Sequence, residues 1–408
     1  MSEQTYDLVE PLEANIFRTE FLDDPRPVYH AMRERSPVLW SSLIPPGQWI
    51  VTRHSDAMAV LRDGRLGKQD YWDQMASDRG GLDSDVIRVL RTWMSQIDPP
   101  DHGRIRSLFT RTFVPSSIER LKPRIEAIVD GLLDDMERAW PADFMTAVAF
   151  PLPAIVICEM LGVPPEDRDQ FKRWSLDLTH VFDPFVGEET LQRSYEAIVA
   201  FRTYLGKLIA QRLVAPQADL LSELVQAHHA EGKLSDEELM ANTIFMVWAG
   251  HETTMSLLGN GLLTLLRHPD VYASLRDDSD ASEAIVEECL RHEGPIRITS
   301  RIALEDLEVG GKAITAGQMV VVMGAAANCD PQIFDDPDRF VVSRRPNRHL
   351  GFGGGIHFCL GAPLARAEVQ IAFRRIAERF PTLQLVPESA TWATSLFLRR
   401  LERLEVTC

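Results

Sequence analysis

Apolar residues recur three and four apart through the second quarter of the chain, as at Ile125, Ile128, Val129, Leu132 and Leu133. That spacing predicts an almost wholly helical stretch from Val114 to Ala230. Before it, helix and strand signals alternate. Pro27 to Arg33 reads as a short amphipathic helix, Trp49 to Thr52 as an apolar strand, and Ser55 to Arg62 as a second helix. Gly64 to Asp85 carries no period and is rich in Gly, Asp and Gln, so it is expected to be irregular. The strongest prediction is a helix from Ser235 to Arg267. Ser235-Asp236-Glu237-Glu238 has the form of a capping box, and Pro269 stands just beyond the far end. A helix of that length runs roughly 50 Å. Its middle, Ile244 to Gly250, is apolar on every side and is predicted to be buried. Further on, Pro295 to Arg301 reads as a strand, while Val309-Gly310-Gly311-Lys312 and Ala316-Gly317 read as hairpin turns. Ala362 to Phe380 is a helix with Pro363 in its first turn. The pattern defines a mainly α protein with a minor β region.

Three stretches carry groups that a plain helical core does not need. His251, Glu252, Thr253 and Thr254 continue the apolar helix, where an acid or hydroxyl is costly unless it finds a partner. A threonine there can bond the carbonyl four residues back and bend the helix, and Gly250 weakens it at the same place. Phe352-Gly353-Gly354-Gly355-Ile356-His357-Phe358-Cys359-Leu360-Gly361 combines three glycines, free to take positive φ, with a cysteine where the loop gives way to a helix. The positive end of that helix favours thiolate over thiol, the form a soft iron ligand takes. In Asp98-Pro99-Pro100-Asp101-His102-Gly103-Arg104-Ile105-Arg106, His102 and Arg106 lie four apart on one helical face, a geometry suited to gripping an anion.

Phe352, Gly353, Gly355, His357, Cys359 and Gly361 match the pattern F-G-x-G-x-H-x-C-x-G position for position. In this the chain resembles the cytochrome P-450 family, and the resemblance runs from Pro25 to Val406. It implies a single domain over residues 1–408, with 1–24 as an N-terminal extension, folded as a triangular prism of helices around a buried haem b. Cys359 would be the iron ligand. Ala249 to Thr253 resembles the family's A-G-x-E-T oxygen-activation motif, which makes Thr253 the hydrogen-bond donor and Glu252 the proton relay. His102, Arg106, Arg301 and His357 match the propionate ligands, and Phe352, Gly353, Ala249 and Thr299 would border the haem. Phe245, Trp248, Arg297, Phe397 and Leu398 match substrate-facing positions. For Phe245 and Trp248 core packing is the equal alternative. Arg297 could pin an acidic substrate group, or else face the surface or a propionate. Glu288, Arg291 and Arg339 resemble the family's buried structural cluster, with Arg344 a competing third member. The stretch over the substrate falls within Gly64 to Ser95, and the lid near Phe182 to Gly187.

Composition narrows the reading further. Five scattered cysteines give no paired spacing for disulfides or zinc, and a net charge of −17 argues against nucleic acid and anionic membranes. Met1 to Asn15 is polar and acidic, with neither a signal peptide nor a membrane-spanning run, so a cytoplasmic monomer of the bacterial soluble class is expected. Arg366, Arg374, Arg375 and Arg379, with Arg344, Arg345, Arg348 and Arg104, suggest a basic proximal face for an acidic ferredoxin; solvated helix charge is the alternative. No flavin or iron–sulfur motif is present, so electrons would come from NAD(P)H through a ferredoxin reductase and a ferredoxin. The implied activity is a monooxygenase that hydroxylates or epoxidises a small apolar molecule: a secondary metabolite, terpenoid, steroid or fatty acid. A peroxygenase using hydrogen peroxide would not need the Glu252–Thr253 pair. A non-catalytic helper would be expected to lose Cys359 or Thr253. A hydrolase using Cys359 as nucleophile lacks a positioned base.

Overall fold

The computed structural model describes residues 8–78, 84–183, 187–231, 233–277 and 281–408. A helix from Asp236 to Leu266 crosses its middle. The capping box that starts this helix is complete: Ser235 Oγ accepts from the Glu238 N–H at 3.1 Å, and Glu238 accepts from the Ser235 N–H at 2.8 Å. From Thr254 to Leu265 every side chain of the helix is buried, as a helix apolar all round must be. It packs against the helices Pro151–Met160, Arg168–Thr179, Glu188–Val214 and Ala362–Arg379. A Cβ at Gly261 would stand 2.5 Å from the Phe373 ring, so glycine there lets the central helix and the helix after Cys359 approach closely. The latter helix also packs along Pro115–Glu137.

The β region lies to one side. Its main sheet has five strands in the order Val38–Ser41, Gln48–Val51, Met319–Val322, Thr299–Ala303 and Leu66–Gly67. Gln48–Val51 runs parallel to Met319–Val322, and the remaining pairs are antiparallel. A separate hairpin, Leu307–Val309 with Lys312–Ile314, turns on Gly310 and Gly311, both at positive φ (54° and 77°), which a primed two-residue turn requires.

Four differences from the sequence pattern have physical causes. The aperiodic stretch after Gly64 contains a two-residue strand and the helix Tyr71–Asp78. One anchor, the buried Trp72, holds it to the core where a period is absent. Residues 79–83 of that stretch, and 184–186 of the expected lid, lie outside the described residues. The strand after Pro295 begins only at Thr299, because the Arg297 N–H is taken by Phe397 O (3.0 Å) and Ile296 bridges to Leu398. The residues before Pro25 pack against the body, with Phe21 buried edge-on against Tyr29 at 5.5 Å.

The fourth correction concerns the buried charge cluster. Glu288 and Arg291 are both buried and joined by two hydrogen bonds of 2.9 and 2.7 Å. Arg344, not Arg339, supplies the third charge, with its Nε 3.5 Å from Glu288. The Arg339 side chain is 75% exposed and leans toward Asp336; only its carbonyl joins the cluster, accepting from Arg291 at 2.8 Å. Among the described residues no helix is long and apolar enough to cross a membrane.

Candidate active site

The loop before the last long helix is bent by glycine. Gly353 and Gly355 have φ of 70° and 67°, and a Cβ at Gly355 would lie 2.0 Å from the Leu61 carbonyl oxygen. The Cys359 N–H closes the loop on Phe352 O at 2.9 Å. Backbone N–H groups of Gly361 and Ala362, where the helix begins, face the Cys359 sulfur. Burial pushes this thiol up, while those two N–H groups and the charges of Arg106 and Arg366 pull it down. The accessible side of Cys359 opens on a cavity of about 270 Å³ that Phe352, Gly353, Ala249 and Thr299 also line.

One edge of this cavity is cationic. Arg106, Arg301, Lys68 and His357 line it, and the His102 ring lies 4.4 Å from that of His357. Arg106 donates to Phe358 O at 2.6 Å; Arg301 is buried and, among the described residues, its side chain donates to Ser300 O and Thr299 Oγ1. Burial and the neighbouring Arg301 drive the Lys68 ammonium well below the usual lysine range, and burial holds both imidazoles neutral. The His102 Nε2 atom is buried without a hydrogen-bond partner. Such an edge fits two carboxylates. Lys68 carried no signal in the sequence: it is one lysine in an aperiodic stretch, and only the pairing of Leu66–Gly67 with Ile302 and Ala303 brings it beside Arg301.

Above the cavity runs the central helix. Thr253 faces it, with its hydroxyl hydrogen bonded to Ala249 O at 2.9 Å. The hydroxyl oxygen is therefore the group presented to the cavity until that bond is exchanged. Glu252 lies on a different face, fully buried and lining neither cavity; His251 Nδ1 is 3.3 Å from it, and Thr179 and Arg400 lie near. Burial raises the Glu252 carboxyl to about 7 and lowers the His251 imidazole to about 3. A carboxyl poised near neutrality can both give and take a proton.

A second cavity, about 280 Å³, continues from the first; Phe245, Ala249, Thr253, Arg297 and Thr299 line both. Its wall includes an aromatic stack that the sequence did not announce. Phe182 lies face to face with Trp248 (4.6 Å) and Phe397 (5.0 Å), and Trp93 stacks on Trp248 at 5.3 Å. Trp248 is fixed by its indole N–H, which donates to Thr179 Oγ1 at 3.0 Å. Of the expected substrate contacts, Phe245, Trp248, Arg297 and Phe397 line the cavity. Leu398 does not: it is fully buried behind the wall, bridged to Ile296.

The expected basic proximal face is largely neutralised. Arg374 pairs with Glu126, Arg375 with Asp130, Arg379 with Asp134 and Glu137, and Arg366 with Glu287. Arg104 pairs with Asp101 and Glu238. Apart from Asp101, these carboxylates come from other elements, which a linear count of arginines cannot show. Beside the cysteine the loop exposes Ile356 and Phe358 instead.

A lone cysteine at a helix start, a cation-edged cavity beneath an acid–threonine helix and an apolar chamber beyond define a haem-thiolate site. Residues 90–397 match the family model described as Cytochrome P-450, and the chain belongs to that family of oxidoreductases. It is 39% identical over 95% of its length to the polyketide biosynthesis cytochrome P-450 PksS of Bacillus subtilis (strain 168), covering 96% of that protein. Among solved structures, the myxobacterial CYP267B1 in complex with myristic acid superposes with a TM-score of 0.89 at 38% identity, covering 96% of this chain and 98% of that one. P450BioI in complex with acyl carrier protein ligated to hexadec-9Z-enoic acid gives 0.88 at 35% identity, covering 95% and 99%. The residues present fit the family's haem. The orphaned His102 Nε2 and the carboxylate-free Arg301 fit its propionates, and one sulfur suffices for an iron whose other ligands come with the cofactor.

Proposed function

We propose that the chain is a cytoplasmic haem-thiolate monooxygenase that inserts one oxygen atom of O2 into a C–H or C=C bond of a small, mainly apolar molecule. Electrons would reach it from NAD(P)H through a ferredoxin reductase and a ferredoxin. The observation that carries this reading is the continuity of the two cavities: Cys359 opens on one end, the aromatic chamber forms the other, and Thr253 stands where they join. Cys359 would ligate the iron, and Arg106, Arg301, His102, His357 and Lys68 would hold the propionates. Bound there, the haem supplies O2 activation, with the thiolate donating electron density to the iron.

The chain's own residues do the rest. Trp248, Phe182, Phe245 and Phe397 exclude water and give an apolar substrate its desolvated seat. Thr253, whose hydroxyl now bonds Ala249 O, would be able to exchange that bond for one to a group bound in the cavity, and Glu252, with its carboxyl near neutrality, would hold an exchangeable proton behind it. Since the arginines of the helix after Cys359 are paired, the exposed Ile356 and Phe358 are the better candidates for the contact with an electron donor. PksS and the two acyl-binding structural neighbours support an acyl or polyketide-like substrate.

The deciding test is the visible spectrum of the reduced protein under carbon monoxide. A Soret band strongly red-shifted from that of imidazole-ligated haem is expected, and it should vanish in Cys359→Ser. A wild-type band without that shift would overturn thiolate ligation by Cys359.

A further inference from the structure

Among the described residues the buried arginines are Arg212, Arg291, Arg297, Arg301 and Arg399. A buried guanidinium without an anion is strongly unfavourable, by several kcal/mol. Three of these have one: Asp219 for Arg212, Glu288 for Arg291 and Glu293 for Arg399. The other two have no carboxylate within ion-pairing distance among the described residues, and both line the cavity. Arg301 is accounted for by the cofactor's propionates. Arg297 is not.

Arg297 is 2% exposed and makes one side-chain hydrogen bond, from Nη1 to Ser395 O at 2.8 Å. Its Nε and Nη2 have no partner, and neither has the buried hydroxyl of Tyr29, which lines the same cavity. The guanidinium rests 5.2 Å over the Phe21 ring, which holds it without neutralising it. Two acids lie within electrostatic reach, Glu293 and Asp183. Both are engaged: Glu293 by Arg26 and Arg399, Asp183 by Ser395 Oγ and the N–H groups of Leu396 and Phe397. Burial lowers Arg297 only to about 10, so it is cationic at neutral pH. Around it the cavity wall is apolar, with Ile16, Phe21, Ile50, Val321 and Met323.

We propose that Arg297 and Tyr29 bind the carboxylate of the substrate, so that the enzyme takes apolar molecules bearing one acidic head. The proposal rests on the monooxygenase reading of this cavity. Arg297 supplies two free N–H donors and the charge; Tyr29 donates a third hydrogen bond. The apolar remainder fills the aromatic chamber, and the fixed head sets which carbon reaches the Thr253 end.

The test uses full-length holoprotein and three probes of one chain length: dodecanoic acid, methyl dodecanoate and dodecan-1-ol, with affinities from calorimetry. The acid should bind at least about tenfold more tightly than ester or alcohol, the usual worth of one charge-assisted pair. Arg297→Gln should abolish that preference while haem content stays unchanged. Tyr29→Phe, which removes only an unpartnered hydroxyl and so preserves the fold, should reduce the preference about threefold. Equal binding of acid and ester, or no binding of any probe, overturns the proposal. So does an Arg297→Gln protein that loses haem yet keeps the preference, since Arg297 would then serve the cofactor. The carbon monoxide spectrum of the same samples separates the two readings. A red-shifted band without acid preference sinks only the head-group site; acid preference without that band sinks only the monooxygenase.

Discussion

Glu252 shows how burial makes a functional group out of an ordinary carboxyl. The free side chain titrates near 4.3, and in the folded protein burial raises it to about 7. Between those values the folded state binds a proton that the unfolded state does not. Its contribution to stability is therefore fullest at the acid end and is lost as pH rises through about 7. Glu252→Gln removes this dependence. Relative to wild type the variant should gain about 1 to 3 kcal/mol between pH 4.5 and 7.5 and then level off. Denaturant titrations at a series of pH values read this directly, and parallel curves for the two proteins would refute the raised carboxyl. The motif named Glu252 in the sequence, but the burial that tunes it comes from Thr179, His251 and their helices. Lys68 and Tyr29 had no motif at all. Each acquires its partners from segments distant in the chain, so no spacing rule could single them out.

At the scale of elements, the central helix was legible nearly to the residue because its signals are local: a capping box, an apolar run and a following proline. The cluster behind the Cys359 loop was legible only in part. Glu288 and Arg291 lie three apart on one helix and must meet, whereas the third arginine depends on how an irregular stretch folds back. Arg291→Met should cost about 3 to 5 kcal/mol by leaving Glu288 buried without its main partner. Arg344→Met should cost measurably less, since its Nε stands 3.5 Å away. Arg339→Ala should change stability by under about 0.5 kcal/mol. Urea unfolding of the three variants ranks them, and a severe loss in Arg339→Ala would restore that residue to the cluster. The short strand and helix after Gly64 escaped the sequence pattern for the same reason: one tryptophan anchor and two ladder residues have no period to detect.

Over the whole molecule, the arrangement of charge matters more than its sum. A net charge of −17 describes the whole chain, while the cavity gathers Arg106, Arg301 and Lys68, none with an ion-paired carboxylate among the described residues. Arg301, Lys68 and Arg106 gather at one edge, where Asp98 favours the charge on Arg301 and Lys68 but burial opposes it, and carboxylates from outside would add to that compensation. The apoprotein should therefore melt several degrees below the haem-loaded protein by calorimetry, as expected when a ligand binds only the folded state. Equal melting temperatures would show that the cation edge is satisfied without the cofactor. Conversely, the arginines of the last long helix, conspicuous as a group in the chain, are paired: Arg374, Arg375 and Arg379 with acids of the helix Pro115–Glu137, and Arg366 with Glu287.

The sequence by itself determined the helical class, the central helix with its cap, the glycine-bent cysteine loop and the acid–threonine pair. In each case the residues that cooperate are within about ten positions of one another, so sterics and hydrogen bonding along the backbone fix them. Only the tertiary structure decided that Arg344 displaces Arg339, that Leu398 is withdrawn from the cavity, that Trp248 belongs to an aromatic wall, and that Arg297 has no ion-paired acid among the described residues. Those outcomes depend on which distant side chain fills or fails to fill a given space. The position of a neutralising carboxylate is set by packing between elements, and one-dimensional spacing does not carry it.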